Sequence, residues 1–244
     1  MNDELLQRFT TDAQPGYKNV RPRDAATLIL LDRSGPSPKV LMGRRHEGHV
    51  FIPNKFVFPG GRVDRADRRM GIGTPLHPDA EKKLMQNVRR PSPAQARGIA
   101  LAAIRETFEE TGLLLGSRHA DAPKAPSGPW SKFAEAKIHP DLGSVHFIAR
   151  AVTPPQRPRR YDTRFFTADA SAIAEHVEGM VGPDAELVEL KWIPLATIKE
   201  HVELLVISEI VLRDLKARIE AGFGHDLPVP FYHVKGNKRV RDLL

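Results

Sequence analysis

Residues 105–112, Arg105-Glu106-Thr107-Phe108-Glu109-Glu110-Thr111-Gly112, set three carboxylates close together and end on a glycine. They close a run of strong helix formers that opens after Pro91-Ser92-Pro93, with Ser92 placed to cap the first turn and Gly112 to stop the last. The pattern predicts a helix over 93–112. Successive helical side chains rotate by about 100°, so Glu106, Glu109 and Glu110 project together. Leu101, Ile104, Phe108 and Thr111 cluster opposite them as a core stripe. The expectation is three carboxylates on the exposed face of an anchored helix. Like charges at this spacing repel by a few tenths of a kcal/mol per pair, roughly, and a bound divalent cation would turn that repulsion into attraction. A merely solvated acidic face is the alternative reading.

Outward from this helix, residues 25–32 (AATLILLD) are apolar and β-rich, bounded by turn formers, and read as a buried strand. Residues 39–42 return as a second strand across a loop at 33–38. A third short run at 56–58 stops at Pro59-Gly60-Gly61, an abrupt turn. Between 62 and 90 the chain is polar, charged and broken by Gly71, Gly73 and Pro75, with one short helix expected at 79–87. Residues 68–90 therefore read as an insertion outside the core. Downstream, 144–152, 161–167 and 185–193 read as strands and 207–221 as an amphipathic helix. The order is α+β, and residues 1–244 read as a single elaborated domain. From 222 the chain is rich in Gly, Pro and basic residues and reads as an irregular tail.

Arg105 to Gly112 matches the REUXEEXG part of the Nudix box, with Thr107 in place of the usual aliphatic residue, and Phe58-Pro59-Gly60-Gly61 resembles the glycine turn that opens that box. Asp67 stands where the family pattern has its first Glu, and Asp64 at the other acidic position. Thirty-seven residues separate Asp67 from Arg105 where the family usually has seven. Extra chain in such a loop adds little closure entropy, so turn and helix are expected still to meet.

The resemblance implies a Nudix fold, a mixed β-sheet sandwiched between α-helices, whose box holds Mg2+ or Mn2+. It implies Glu109 and Glu110 as principal metal ligands, Glu106 as a further ligand or base helper, and Arg105 as the group orienting them. Gly61 allows the tight turn and offers a carbonyl to the metal; Gly60 and Gly61 line the place of the substrate. Hard oxygen donors suit Mg2+ and disfavour zinc. Glu186 and Glu189, just before Lys191-Trp192, are candidate bases or exposed strand residues. The implied reaction is metal-dependent hydrolysis of a diphosphate bond in a nucleoside diphosphate linked to another moiety.

Composition bounds the chemistry. With no cysteine among 244 residues there is no disulfide framework, thiolate metal site or Cys nucleophile. Thirty-seven Lys and Arg against thirty Asp and Glu leave a charge of +7, which favours phosphate-bearing partners. No apolar run is long enough to span a bilayer, and residues 1–11 lack a sustained apolar stretch, so a cytoplasmic protein is expected. The long box, Thr153-Pro154-Pro155 and residues 159–166 resemble the branch that includes peroxisomal coenzyme A diphosphatases. Leu41 and Arg45 fit the bacterial coenzyme A signature; Val50 and Asn54 depart from it. Arg44, Arg45 and Arg164 are the expected contacts to substrate phosphate. ADP-ribose or NADH as substrate, and a non-catalytic ligand-sensing domain, stay open. A small-molecule partner is expected ahead of nucleic acid, with no membrane partner and a homodimer left open.

Overall fold

The apolar run near the start becomes β1 (Arg23–Asp32), and β2 (Lys39–Arg45) returns antiparallel to it with Lys39 opposite Asp32. The computed structural model describes Leu5 and residues 20–48, 53–236 and 238–244; the readings of residues 1–11, Leu5 apart, and of Val50 lie outside the described residues. Alternate side chains of β1 enter two different cores: Ala26, Leu28 and Leu30 join one, Ile29 and Leu31 the other. A strand buried on both faces needs cover on both sides, which explains its continuous apolar run.

Two minimal strands follow, β3 (Phe56–Val57) against β2 and β4 (Gly60–Arg62) against the start of β1. Then come α1 (Pro78–Leu84), α2 (Pro93–Thr111), β5 (Leu113–Leu115), β6 (Ser117–Arg118), α3 (Trp130–Glu135), β7 (Ile138–His139), β8 (His146–Val152), β9 (Tyr161–Asp169), β10 (Ile173–His176) and β11 (Leu187–Pro194). The chain ends with α4 (Ile198–His201), α5 (Val206–Glu220), β12 (Pro230–Lys235) and β13 (Lys238–Leu243). The main sheet runs β11-β2-β1-β9-β8-β12-β13, with β1 and β9 parallel from Arg23↔Tyr161 to Leu31↔Asp169. Helices α1, α2 and α3 cover one face and α4 and α5 the other, the expected mixed sheet between helices. No helix among the described residues is long and apolar enough to cross a membrane.

α2 begins and ends as its sequence demands. Ser92 Oγ accepts from the Gln95 amide at 3.2 Å. Gly112 adopts φ +76°, and a Cβ there would lie 2.1 Å from the Val177 carbonyl oxygen, so no other residue fits. One expectation is corrected: thirteen of its nineteen residues are buried, so its carboxylates do not stand on an open face but beside a cleft.

Two further expectations are corrected. Residues 68–90 do not lie outside the core, because Met70, Leu76, Ala80 and Leu84 are all buried in the cluster built around α2. These apolar positions are too sparse to show a period, and their anchors come from distant chain. The Gly71 amide donates to the Lys124 carbonyl at 2.7 Å, and the Lys83 ammonium donates to the carbonyls of His225, Asp226 and Leu227. The tail from 222 is not irregular either. β12 pairs in parallel with β8 and turns back into β13, burying Phe231 and Tyr232. The Arg150 guanidinium stacks 4.3 Å from the Phe231 ring centroid, and the Tyr232 hydroxyl donates to Asp214 at 2.6 Å. Flanking Pro and Gly, and a largely exposed, polar β13, hid this hairpin.

Leu84→Ala should therefore lower the unfolding free energy by about 2–5 kcal/mol in urea titrations. Replacing 68–90 with a Gly-Ser linker should abolish the cooperative transition. A loss below about 0.5 kcal/mol for Leu84→Ala, the range of ordinary surface substitutions, would contradict the packing of the segment.

Candidate active site

The site is built around a guanidinium on α2. Asp67, fully buried in a single 3-10 turn (Asp67–Arg69), accepts from Arg105 Nε at 2.7 Å and from Nη2 at 3.2 Å. It also accepts from the Trp130 indole at 3.0 Å and from the Asp64 amide at 2.7 Å. The far side of Arg105 donates to Glu106 Oε1 at 2.8 Å and Glu109 Oε1 at 3.2 Å. Burial works against the Arg105 charge, but the Asp67 hydrogen bond and the surrounding carboxylates outweigh it and hold the group well above its usual range.

The glycine turn meets this helix across the long intervening segment. A Cβ on Gly61 would lie 2.5 Å from Glu106 Cδ, and one on Gly60 would lie 2.6 Å from the Ala26 carbonyl oxygen. Only glycine lets the backbone press on both the carboxylate and β1. The Gly60 amide approaches Glu110 Oε1 at 3.4 Å. Burial pushes Glu106 up to about 7, opposed by Arg105 and reinforced by Glu109. Burial, then the charges of Glu186 and Glu106, push Glu110 well above the usual carboxylate range.

These groups line a cleft of about 740 Å3. Its acidic wall is Glu106, Glu109 and Glu110; Glu186 and Arg45 join from the β2–β11 side, where they form an ion pair. Arg23, Arg62, Arg65 and Arg68 add a cationic wall. Adjacent strand residues point to opposite faces, so Arg45 reaches the cleft while Arg44 turns away and pairs with Glu189 at 3.0 Å. Neither Arg44 nor Glu189 lines the cleft. Arg164 is buried, donating to Asp24 at 2.6 Å and to the Asp162 carbonyl at 2.8 Å, and opens on a second pocket beyond Asp24. Sequence reasoning missed Asp24, Trp130 and the arginines of the cationic wall. Arg62, Arg65 and Arg68 recur every three residues beside Asp64 and Asp67, a signal that was there to read.

No family model matches the chain. A crystal structure of a Nudix hydrolase from Alicyclobacillus acidocaldarius superposes with a TM-score of 0.59 at 30% identity, covering 81% of this chain and 92% of that one. The chain belongs to the Nudix hydrolase family. Acyl-coenzyme A diphosphatase NUDT19 from Gallus gallus is 28% identical over 59% of this chain and 54% of its own length. The Homo sapiens protein of the same name is 28% identical over 59% of this chain and 48% of its own length. The chain thus spans about half the length of these curated relatives.

The departure of the Nudix box at Thr107 is accommodated locally. Thr107 is fully buried, and its hydroxyl donates to the Ala103 carbonyl of its own helix at 2.8 Å, so no polar atom is stranded. The box also fits a hard divalent cation. Glu106, Glu109 and Glu110 offer only oxygen, which suits such an ion; they also crowd one another's charge and two of them are pushed up by burial, and a cation there relieves both conditions.

Glu106 binds its proton more tightly folded than unfolded, so its contribution to stability is present below about pH 4.5 and is lost as pH rises through about 7. Metal-free Glu106→Gln should match the parent at pH 4 and exceed it at pH 8 by about 1–3 kcal/mol. Chemical denaturation at the two pH values measures this, and a pH-independent difference would contradict the buried placement of the carboxylate.

Proposed function

We propose that this Nudix chain is a metal-dependent diphosphatase that cleaves a nucleoside diphosphate linked to another moiety, with coenzyme A or acyl-coenzyme A as the leading substrates. The observation that carries the reading is the contact of Gly61 with Glu106, and of Gly60 with Glu110, which closes the box despite thirty extra residues inside it. Glu106, Glu109 and Glu110 would hold Mg2+ or Mn2+, with the Gly61 carbonyl as a further donor. Bound metal supplies neutralisation of the diphosphate oxygens and a lowered pKa for water. Arg105 keeps two of the carboxylates aimed. Glu106, Glu110 and Glu186 form the set from which the proton acceptor comes, Glu186 entering from the opposite side in its pair with Arg45.

Support for the coenzyme A class is twofold. Two relatives carry the name acyl-coenzyme A diphosphatase. The cationic wall of Arg23, Arg62, Arg65 and Arg68 beside the carboxylates suits a substrate with phosphate beyond the diphosphate itself. This wall takes the place expected for Arg44 and Arg164, which point elsewhere.

The test is hydrolysis of coenzyme A, acyl-coenzyme A, dephospho-coenzyme A, ADP-ribose and NADH with Mg2+. The expected result is cleavage of the diphosphate, with coenzyme A ahead of its dephospho form by about tenfold, the worth of one charge-assisted contact. Glu109→Gln should lower kcat by about 100-fold or more. Equal rates on the two coenzymes would remove the coenzyme A reading, and faster ADP-ribose or NADH cleavage would replace it. Tight binding of one compound with no hydrolysis of any would make the chain a ligand sensor.

A further inference from the structure

A second cluster of ligating side chains lies away from the carboxylate cleft. One ligand atom each from His119, Asp121 and His139 lie within 4.8 Å of one another, and none of the three residues lines the cleft. The two histidines are set by a strand pair. β6 and β7 are antiparallel with Ser117 opposite His139, and the His119 amide donates to the Lys137 carbonyl at 2.9 Å, extending the ladder by one rung pair. In that register His119 and His139 are diagonal neighbours on one face. Their ring centroids are 4.3 Å apart with the planes tilted by 45°.

The surroundings hold the rings in place. His119 Nε2 lies 3.1 Å from Ser117 Oγ, and His139 Nε2 lies 3.2 Å from the Asp121 carbonyl oxygen. Engaging one imidazole nitrogen with an oxygen partner orients the ring and leaves the other nitrogen as a ligand. Gly73 packs beside the pair: a Cβ there would be 3.2 Å from His139 Cβ, a tight approach, and 3.5 Å from His119 Nε2, an ordinary contact. We infer that His119, Asp121 and His139 form a binding site for a borderline divalent cation such as Zn2+, separate from the hydrolase cleft.

Donor chemistry separates the two sites. Two imidazoles and one carboxylate select Zn2+ and its transition-metal neighbours, whereas the all-oxygen cleft selects Mg2+ or Mn2+. Tetrahedral ligation with bonds near 2.0–2.1 Å brings donors to about 3.3 Å apart, a contraction that rotation of exposed side chains supplies. Three protein ligands at an exposed position leave the fourth for water. Such a metal would tie β6, β7 and the loop after β6 into one unit. That unit already holds the long box segment through the Gly73 amide to the Pro140 carbonyl and the Gly71 amide to the Lys124 carbonyl.

The experiment uses the full chain, stripped with a chelator and titrated with Zn2+ by calorimetry in excess Mg2+, and with Co2+ followed by visible absorption. One equivalent of Zn2+ should bind without displacement by Mg2+, and Co2+ should give d–d bands. His119→Ala and His139→Ala should each weaken Zn2+ binding by about 100-fold, at least the loss seen when supporting residues of a metal site are removed. Both should keep the parent's metal-free melting temperature, while Glu109→Gln should leave Zn2+ binding intact. Unchanged Zn2+ affinity in the histidine variants, displacement of Zn2+ by Mg2+, or loss of the site in Glu109→Gln would each overturn the assignment. None of these outcomes depends on whether the chain hydrolyses a diphosphate.

Discussion

A guanidinium buried between one carboxylate behind it and two in front organises this protein. Arg105 is held by Asp67 through Nε and Nη2 and reaches forward to Glu106 and Glu109. A buried ion pair of this kind contributes little net stability when intact, but losing one partner leaves an uncompensated charge and costs about 3–5 kcal/mol. The pair also sets the site's electrostatics. Asp67 holds Arg105 from behind through two of its nitrogens, and the third pairs with Glu106 and Glu109. Trp130 adds a further donor to Asp67 and so couples α3 to the site.

The long segment inside the box follows from the same contact. Asp67 and the glycine turn lie at its start and Arg105 beyond its end, so the Asp67–Arg105 bond closes the loop. Lengthening a loop from seven to thirty-seven residues adds only about 1.5 kcal/mol of closure entropy. Burial of Met70, Leu76 and Leu84 offsets that, since each such side chain contributes about 1.5–3 kcal/mol on leaving water. The insertion became part of the core that carries the site.

Much of this was legible before the structure. The helix of the box, its Ser92 cap and its Gly112 stop are local chemistry, readable from neighbours in sequence. So was β1, whose unbroken apolar run demands two covered faces; the meeting of the glycine turn with the helix was legible only through the resemblance to the Nudix box. What stayed hidden depends on partners far along the chain. Met70, Leu76 and Leu84 show no period because the first two lie in irregular chain and the third ends α1, and β12 is a strand through its pairing with β13 and with the edge of β8. Arg44 and Glu189 illustrate a finer limit: the strands expected from sequence take in Glu189 but stop short of Arg44, which the structure adds to β2, and whether either side chain faces the cleft turns on the pleat, which a shift of one residue inverts.

Asp67 is expected to keep Arg105 from competing with a bound Mg2+ for Glu106 and Glu109. Titration of Mg2+ into Asp67→Asn measures it directly, at a temperature where circular dichroism shows the variant folded. The side chain keeps its shape and an acceptor oxygen but loses its charge, so Arg105 should lean on the other two carboxylates and weaken Mg2+ binding by about 10–100-fold. Mg2+ affinity equal to the parent's in the folded variant would contradict the account.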